Sequence, residues 1–232
     1  MNRRERAARA LLGAFVLAAV ADLVALAAGA DTGHTVVKPL LMPLLAAHAV
    51  ARGGPPLLLG ALLFGCAGDT LLLFDTDPAF LAGMASFAAG HVCYLVLFAR
   101  LVRFTARARA ATWIPIAYGA VLVGTVTLLW PDLPAELRGP VAAYSLLLTA
   151  MAYGAGRLGW TAGIGGALFL LSDTLIATGV AEWPQLPRPD LWVMGTYLAA
   201  QYLLTRGVLE AQRATVAARR PAATSGSAAA TP

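Results

Sequence analysis

The sequence predicts an all-α fold: a polytopic membrane bundle of about eight transmembrane helices whose N-terminus and C-terminus both face the cytoplasm. Three observations predict it. Of 232 residues, 59% are hydrophobic and only 12% are charged, where an average soluble domain is about 25% charged. Apolar runs close to the ~20 residues that cross a hydrocarbon layer of ~30 Å recur along nearly the whole chain. The basic residues gather in short clusters between those runs, so the net charge of +5 reads as a topology signal and not as a nucleic-acid footprint.

With Gly, Pro and charged clusters taken as breaks, helices are expected at about 9–29, 36–51, 56–74, 79–100, 112–130, 139–156, 160–180 and 190–210. The first follows Met1-Asn2-Arg3-Arg4-Glu5-Arg6, a start that resembles a signal peptide. Its apolar stretch from Ala8 to Ala28 is longer than a typical h-region and further spans follow, so it reads as the first transmembrane helix. The second contains Pro39, tolerable near a helix start, and Pro43, expected to kink it. Cys66 and Cys93 fall inside the third and fourth runs without metal or redox spacing, and read as small buried residues. From about Val216 the composition becomes low-complexity. Residues 1–212 are therefore expected to form one transmembrane domain and residues 213–232 a disordered cytoplasmic tail.

Orientation follows from counting. With the N-terminus inside, the cytoplasmic segments hold Arg3, Arg4, Arg6, Arg9, Arg52, Arg100, Arg103, Arg107, Arg109, Arg157, Arg206, Arg213, Arg219 and Arg220, which is 14 of the 17 basic residues. Only Lys38, Arg138 and Arg188 fall on the other side, where Asp31, Asp75, Asp77, Asp132, Glu136, Glu182 and Asp190 also lie. This is the positive-inside distribution. A short echo, Gly68-Asp69-Thr70-Leu71 in the third helix and Ser172-Asp173-Thr174-Leu175 in the seventh, suggests two parallel four-helix halves.

An ionisable side chain at a helix centre costs about 2.5–3.5 kcal/mol on insertion scales and is a functional-site hypothesis by default. The ten Leu and Phe residues of the third helix offset this by about 3–6 kcal/mol, so Asp69 does not prevent insertion. Asp69 and Asp173 each lie about two-thirds of the way toward the outer end of their helices, His91 near mid-depth, Tyr197 about seven residues in from the outer side, Gln201 deeper and Lys38 close to the outer boundary. Tyr197 and Gln201 share a face, as do His91 and Tyr94. Polar groups from five helices thus converge on the middle and outer half, which describes a pocket open to the outer leaflet better than a pore.

Each residue also has a plainer reading. The two aspartates pair with Lys38 or bond across helices, Lys38 snorkels to the interface, and His91 is a satisfied core histidine. Tyr94 and Tyr197 are packing or interfacial aromatics, and Gln201 is an interhelical hydrogen bond. Ser172 and Thr174 bond the backbone. Asp22 and His48 have no evident partner at their depth.

In order and spacing, Lys38-Pro39-Leu40 with Met42-Pro43, Gly68-Asp69, Phe87 through Gly90-His91 to Tyr94, Phe169 with Ser172-Asp173, and Thr196-Tyr197 with Ala200-Gln201 resemble the motifs of the YhhN family, over about residues 36–205. The chain departs from the family pattern at Leu198, where a second Tyr is frequent. Characterised members are lysoplasmalogenases. The resemblance implies a multi-pass protein of the cell membrane that hydrolyses the vinyl ether bond of a lysophospholipid, without metal or other cofactor, to a fatty aldehyde and a glycerophospho-ethanolamine or glycerophosphocholine. Such cleavage begins with proton transfer to carbon and passes through an oxocarbenium ion, so it needs a protonated carboxyl and a nearby anion, a problem glycosidases solve with two carboxylates. In this reading Asp69 and Asp173 form the acid/base pair and share one hydrogen across a lipid-accessible hollow. His91 and Tyr197 orient water or the pair, Lys38 meets the substrate phosphate, and Tyr94, Gln201 and Ser172 complete the binding site.

Two other classes are weighed against it. A proton-coupled or small-solute transporter also uses intramembrane Asp, His and Lys, but needs polar lining toward both faces, and the cytoplasmic half here is nearly all Leu, Ala, Val and Gly. A zinc hydrolase is disfavoured because His34, His48 and His91 lie at three different depths.

Overall fold

The computed structural model describes residues 2–102 and 113–219. Among the described residues it is all-helical, with eight helices: α1 Arg3–Ala28, α2 Asp31–Ala51, α3 Pro56–Leu71, α4 Asp77–Val102, α5 Trp113–Leu129, α6 Ala135–Gly156, α7 Trp160–Val180 and α8 Pro189–Arg219. By length and composition α1, α2, α4 and α7 are long and apolar enough to cross a membrane, while α3 and α5 are shorter apolar helices.

Local chemistry sets the boundaries. Asn2 caps α1 by accepting from the Arg4 backbone N–H at 3.2 Å. Gly29 ends it in the left-handed conformation, φ 72°, with its N–H returned to the carbonyls of Ala25 and Leu26. The helix α2 begins at Asp31 and not near 36, so both of its prolines are interior. Pro43 has no N–H to offer the carbonyl of Pro39. The thiol of Cys66 on α3 takes that place, donating to the Pro39 carbonyl at 3.4 Å. The third helix stops at Leu71 and not at 74, which puts Asp69 in its last turn.

The last helix is the spine. It packs against α7 most extensively, and also against α1, α2, α3 and α4. Its buried side chains, among them Met194, Tyr197, Leu198, Gln201, Leu204 and Val208, face helices on several sides. The α7 contact is backbone to backbone: a Cβ on Gly207 would lie 2.7 Å from the Ala162 amide nitrogen, and one on Gly165 would lie 2.8 Å from that of Leu204. A continuous apolar core runs from Phe15 and Leu41 through Leu62, Phe98 and Met151 to Leu204. A smaller cluster of Leu129, Leu133, Val141 and Ala181 closes the acidic end between α5, α6 and α7. The helix α5 stands at the periphery, with its contacts on α6 and α7.

Several expectations change. The last helix continues to Arg219 instead of ending near 210, so residues 213–219 of the expected tail are helical. Residues 220–232 lie outside the described residues, as does the arginine cluster at 103–109. Asp22 is fully buried and does have a partner, since His34 Nδ1 lies 2.9 Å from its Oδ1. His48 also has one: its Nδ1 lies 2.8 Å from the Ala8 carbonyl. This bond ties α1 to α2.

Candidate active site

Two hydrogen-bonded strings, one per aspartate, cross the interior. The first is wholly buried and joins α4, α8 and α3. Tyr94 Oη donates to Gln201 Oε1 at 2.8 Å, Gln201 Nε2 donates to Tyr197 Oη at 3.2 Å, and Tyr197 Oη donates to Asp69 Oδ2 at 2.8 Å. Every donor and acceptor in this relay matches. The i, i+4 spacing places Tyr197 and Gln201 on one face of α8. Backbone approach makes room for them, because a Cβ on Gly65 would lie 2.9 Å from Tyr197 Oη and 3.2 Å from Gln201 Nε2.

The second string joins α4, α6 and α7. Tyr144 Oη donates to Asp173 Oδ2, and His91 Nε2 lies 3.1 Å from Tyr144 Oη. The tyrosine has one proton, so when it is given to the carboxylate His91 must be the donor to Tyr144. With the proton on Asp173 Oδ2 and the His91 proton on Nδ1, both bonds reverse direction. His91 Nδ1 is buried without a protein partner.

Aromatic rings separate the strings. Phe169 packs edge-on against His91 at 4.8 Å and against Tyr197 at 5.4 Å between centroids, and Phe87 packs against both Phe169 and Tyr197. Asp69 and Asp173 therefore differ in surroundings. Asp69 is 3% exposed and lies within electrostatic reach of Lys38, Asp173 and Asp22. Asp173 is half-buried and lines a narrow apolar cavity of about 70 Å³. Phe80, Met84 and Phe87 of α4, Val121 and Leu122 of α5, Val141 and Leu148 of α6, and Ile176 and Val180 of α7 form its walls. Polar atoms there come from Tyr144, Ser145, Thr125, Thr149 and Thr174, and Asp173 is the one carboxylate among its lining residues.

The expected site residues are thus divided. Tyr94, Gln201, Tyr197 and Asp69 stand together, and His91 and Asp173 stand together through a residue that sequence reasoning missed, Tyr144. Each aspartate is bonded to its own tyrosine, in place of a hydrogen shared directly between the two carboxyls. Tyr144 sits nine residues into α6 (144 − 135), close to the eight that bring Tyr197 into α8 (197 − 189). That matching depth was the available signal. Ser172 Oγ donates to the Val193 carbonyl on α8 at 3.0 Å, a helix-to-helix bond. Lys38 is 9% exposed, within reach of the charges of Asp69 and Asp22 but in none of the ion pairs among the described residues.

A carboxyl at the wall of an apolar cavity inside a helical bundle, backed by a tyrosine and a histidine, defines a candidate site. The chain belongs to the YhhN family, whose match covers residues 33–208. It is 37% identical over 163 residues to the human lysoplasmalogenase TMEM86B, an overlap of 68% of this chain and 65% of that protein. The pig lysoplasmalogenase TMEM86B is 36% identical over 75% of this chain and 74% of its own length. A lysoplasmalogenase of Mycobacterium tuberculosis is 32% identical over 76% of this chain and 72% of its own. The chain spans just under two thirds of the human relative it matches. No solved structure matches it.

Proposed function

We propose that the protein is a membrane-embedded lysoplasmalogenase that cleaves the vinyl ether bond of a lysophospholipid. The observation that carries this reading is the position of Asp173, a carboxyl on the wall of an otherwise apolar cavity and bonded to Tyr144. The names of relatives at 32–37% identity support it. The apolar walls of the cavity suit hydrocarbon. The reaction requires the Asp173 carboxyl in its neutral form.

Protonated Asp173 delivers its proton to the β-carbon of the vinyl ether, and the electron pair of the double bond forms the new C–H bond. The α-carbon becomes an oxocarbenium centre, stabilised by the carboxylate left behind. Water adds to that carbon and returns a proton to Asp173. The resulting hemiacetal passes its hydroxyl proton to the glycerol oxygen and collapses to aldehyde and glycerophospho-alcohol. Tyr144 and His91 hold the carboxyl and form a reversible proton relay behind it. Asp69, locked by Tyr197, supplies a second negative charge at longer range when ionised. Lys38 is assigned to the substrate phosphate, with its charge set against those of Asp69 and Asp22.

The bundle is placed in the cell membrane with all eight helices crossing it and both termini cytoplasmic, a reading supported by the arginine distribution. The deciding assay is aldehyde release from lysoplasmenylethanolamine by the purified chain in detergent. Asp173→Asn, which keeps the size but not the transferable proton, is expected to lower the rate by at least ~10². Unchanged turnover in a folded Asp173→Asn protein removes the mechanism.

A further inference from the structure

A second built site lies at the arginine-rich end, away from the apolar cavity. Two adjoining hollows of about 300 and 340 Å³ share Arg52, Leu209 and Arg213. The first is also lined by Arg9 from α1 and by Arg206 from α8. Four guanidiniums from three parts of the chain therefore surround one space. Its single acid, Glu210, is bonded to Arg206 at 2.7 Å, and Arg9, Arg52 and Arg213 form no ion pair among the described residues. The balance is a net charge of +3.

The site also has an unanswered acceptor. Gln212 Nε2 donates to the Gly53 carbonyl at 3.1 Å, which fixes the amide, while its Oε1 is buried with no partner. Leu12 and Val216 give the hollows apolar walls beside the charges. Guanidinium forks bind phosphate bidentately, and basic pockets between membrane helices are suited to anionic headgroups.

We infer that these hollows bind the phosphate of an anionic lipid headgroup, held by Arg9, Arg52 and Arg213, with Gln212 Oε1 accepting from a headgroup hydroxyl. No residue lining them lines the cavity at Asp173, so the inference is independent of the proposed hydrolysis. A merely topological role for the arginines makes a different prediction, because Arg3 and Arg4 lie at the same end outside the hollows.

The test is native mass spectrometry of the full chain with added phosphatidylglycerol or phosphatidylcholine. Phosphatidylglycerol is expected to stay bound at collision energies that strip phosphatidylcholine. Arg52→Gln with Arg213→Gln should weaken that retention about 25-fold, at roughly fivefold per arginine, while Arg3→Gln with Arg4→Gln leaves it unchanged. Both pairs are exposed side chains, and the wild-type lipid preference is read without any variant. Equal retention of the two lipids, equal loss in both double variants, or full competition by soluble glycerol 3-phosphate each overturns the inference.

Discussion

At the residue scale, the two tyrosines make separable predictions. Tyr144 touches the cavity carboxyl directly, whereas Tyr197 touches Asp69, which does not line that cavity. Tyr144→Phe should lower turnover about tenfold to hundredfold, less than the ~10²–10⁴ that a direct proton donor contributes, with the melting temperature in detergent little changed. Tyr197→Phe removes the partner of a buried carboxyl, which costs about 1–3 kcal/mol, so its first effect should be a lower melting temperature. His34→Ala should act like Tyr197→Phe, since Asp22 Oδ2 already lacks a partner and the change would strip Oδ1 as well. Six of the eight expected site residues belong to the two strings, because a polar side chain at mid-depth in an apolar helix is conspicuous whatever its partner. Tyr144 was not, since a tyrosine in an apolar run looks like packing until the carboxylate across from it is known. The pairing of His91 with α6 and of Tyr94 with α8 was equally invisible. Spacing of three residues says only that two side chains share a face, and not which neighbouring helix each of them meets.

At the element scale, apolar runs bounded by Gly, Pro and charged clusters located each of the eight helices among the described residues, and the errors fell at their ends. The tail reads as polar and low in complexity from Val216, but α8 persists to Arg219 with Thr215 Oγ1 donating to the Ala211 carbonyl at 2.9 Å. The contact of α7 with α8 yields the sharpest element-level expectation. Gly207→Leu would drive a side chain into the Ala162 backbone. Overpacking of this kind typically costs about 1–3 kcal/mol, and more where backbone opposes backbone, so folded yield in detergent should fall sharply. Gly65→Ala is milder and more specific: its methyl meets two side-chain tips and not a backbone. It should move Tyr197 away from Asp69, so, as with Tyr197→Phe, the melting temperature should fall first.

At the scale of the whole molecule, the arginine count separates the two ends of the bundle more clearly than any single helix does. Cysteine-accessibility labelling of intact cells checks the topology proposed from it. Single cysteines at Asp75 and Asp132 should react from outside, and one at Gly53 should not, in a background with Cys66 and Cys93 replaced by Ala. The helices are not uniform spans. The third has 16 residues, a length of about 24 Å, shorter than a ~30 Å layer, so its crossing relies on flanking residues or local thinning of the bilayer. Its aspartate consequently stands at the foot of a short helix, near the acidic end, with the loop before α4 above it.

The central position of α8 has a consequence for biosynthesis. Membrane helices leave the ribosome in order, and the strand of polar contacts that secures Asp69 is supplied by Tyr197 and Gln201, on the helix that emerges last. Until then the nascent bundle must hold an unsatisfied carboxyl and an open groove along the glycines of α7, a state that invites chaperone binding or proteolysis. A message truncated before codon 189 should therefore yield a rapidly degraded polypeptide and not a slower enzyme.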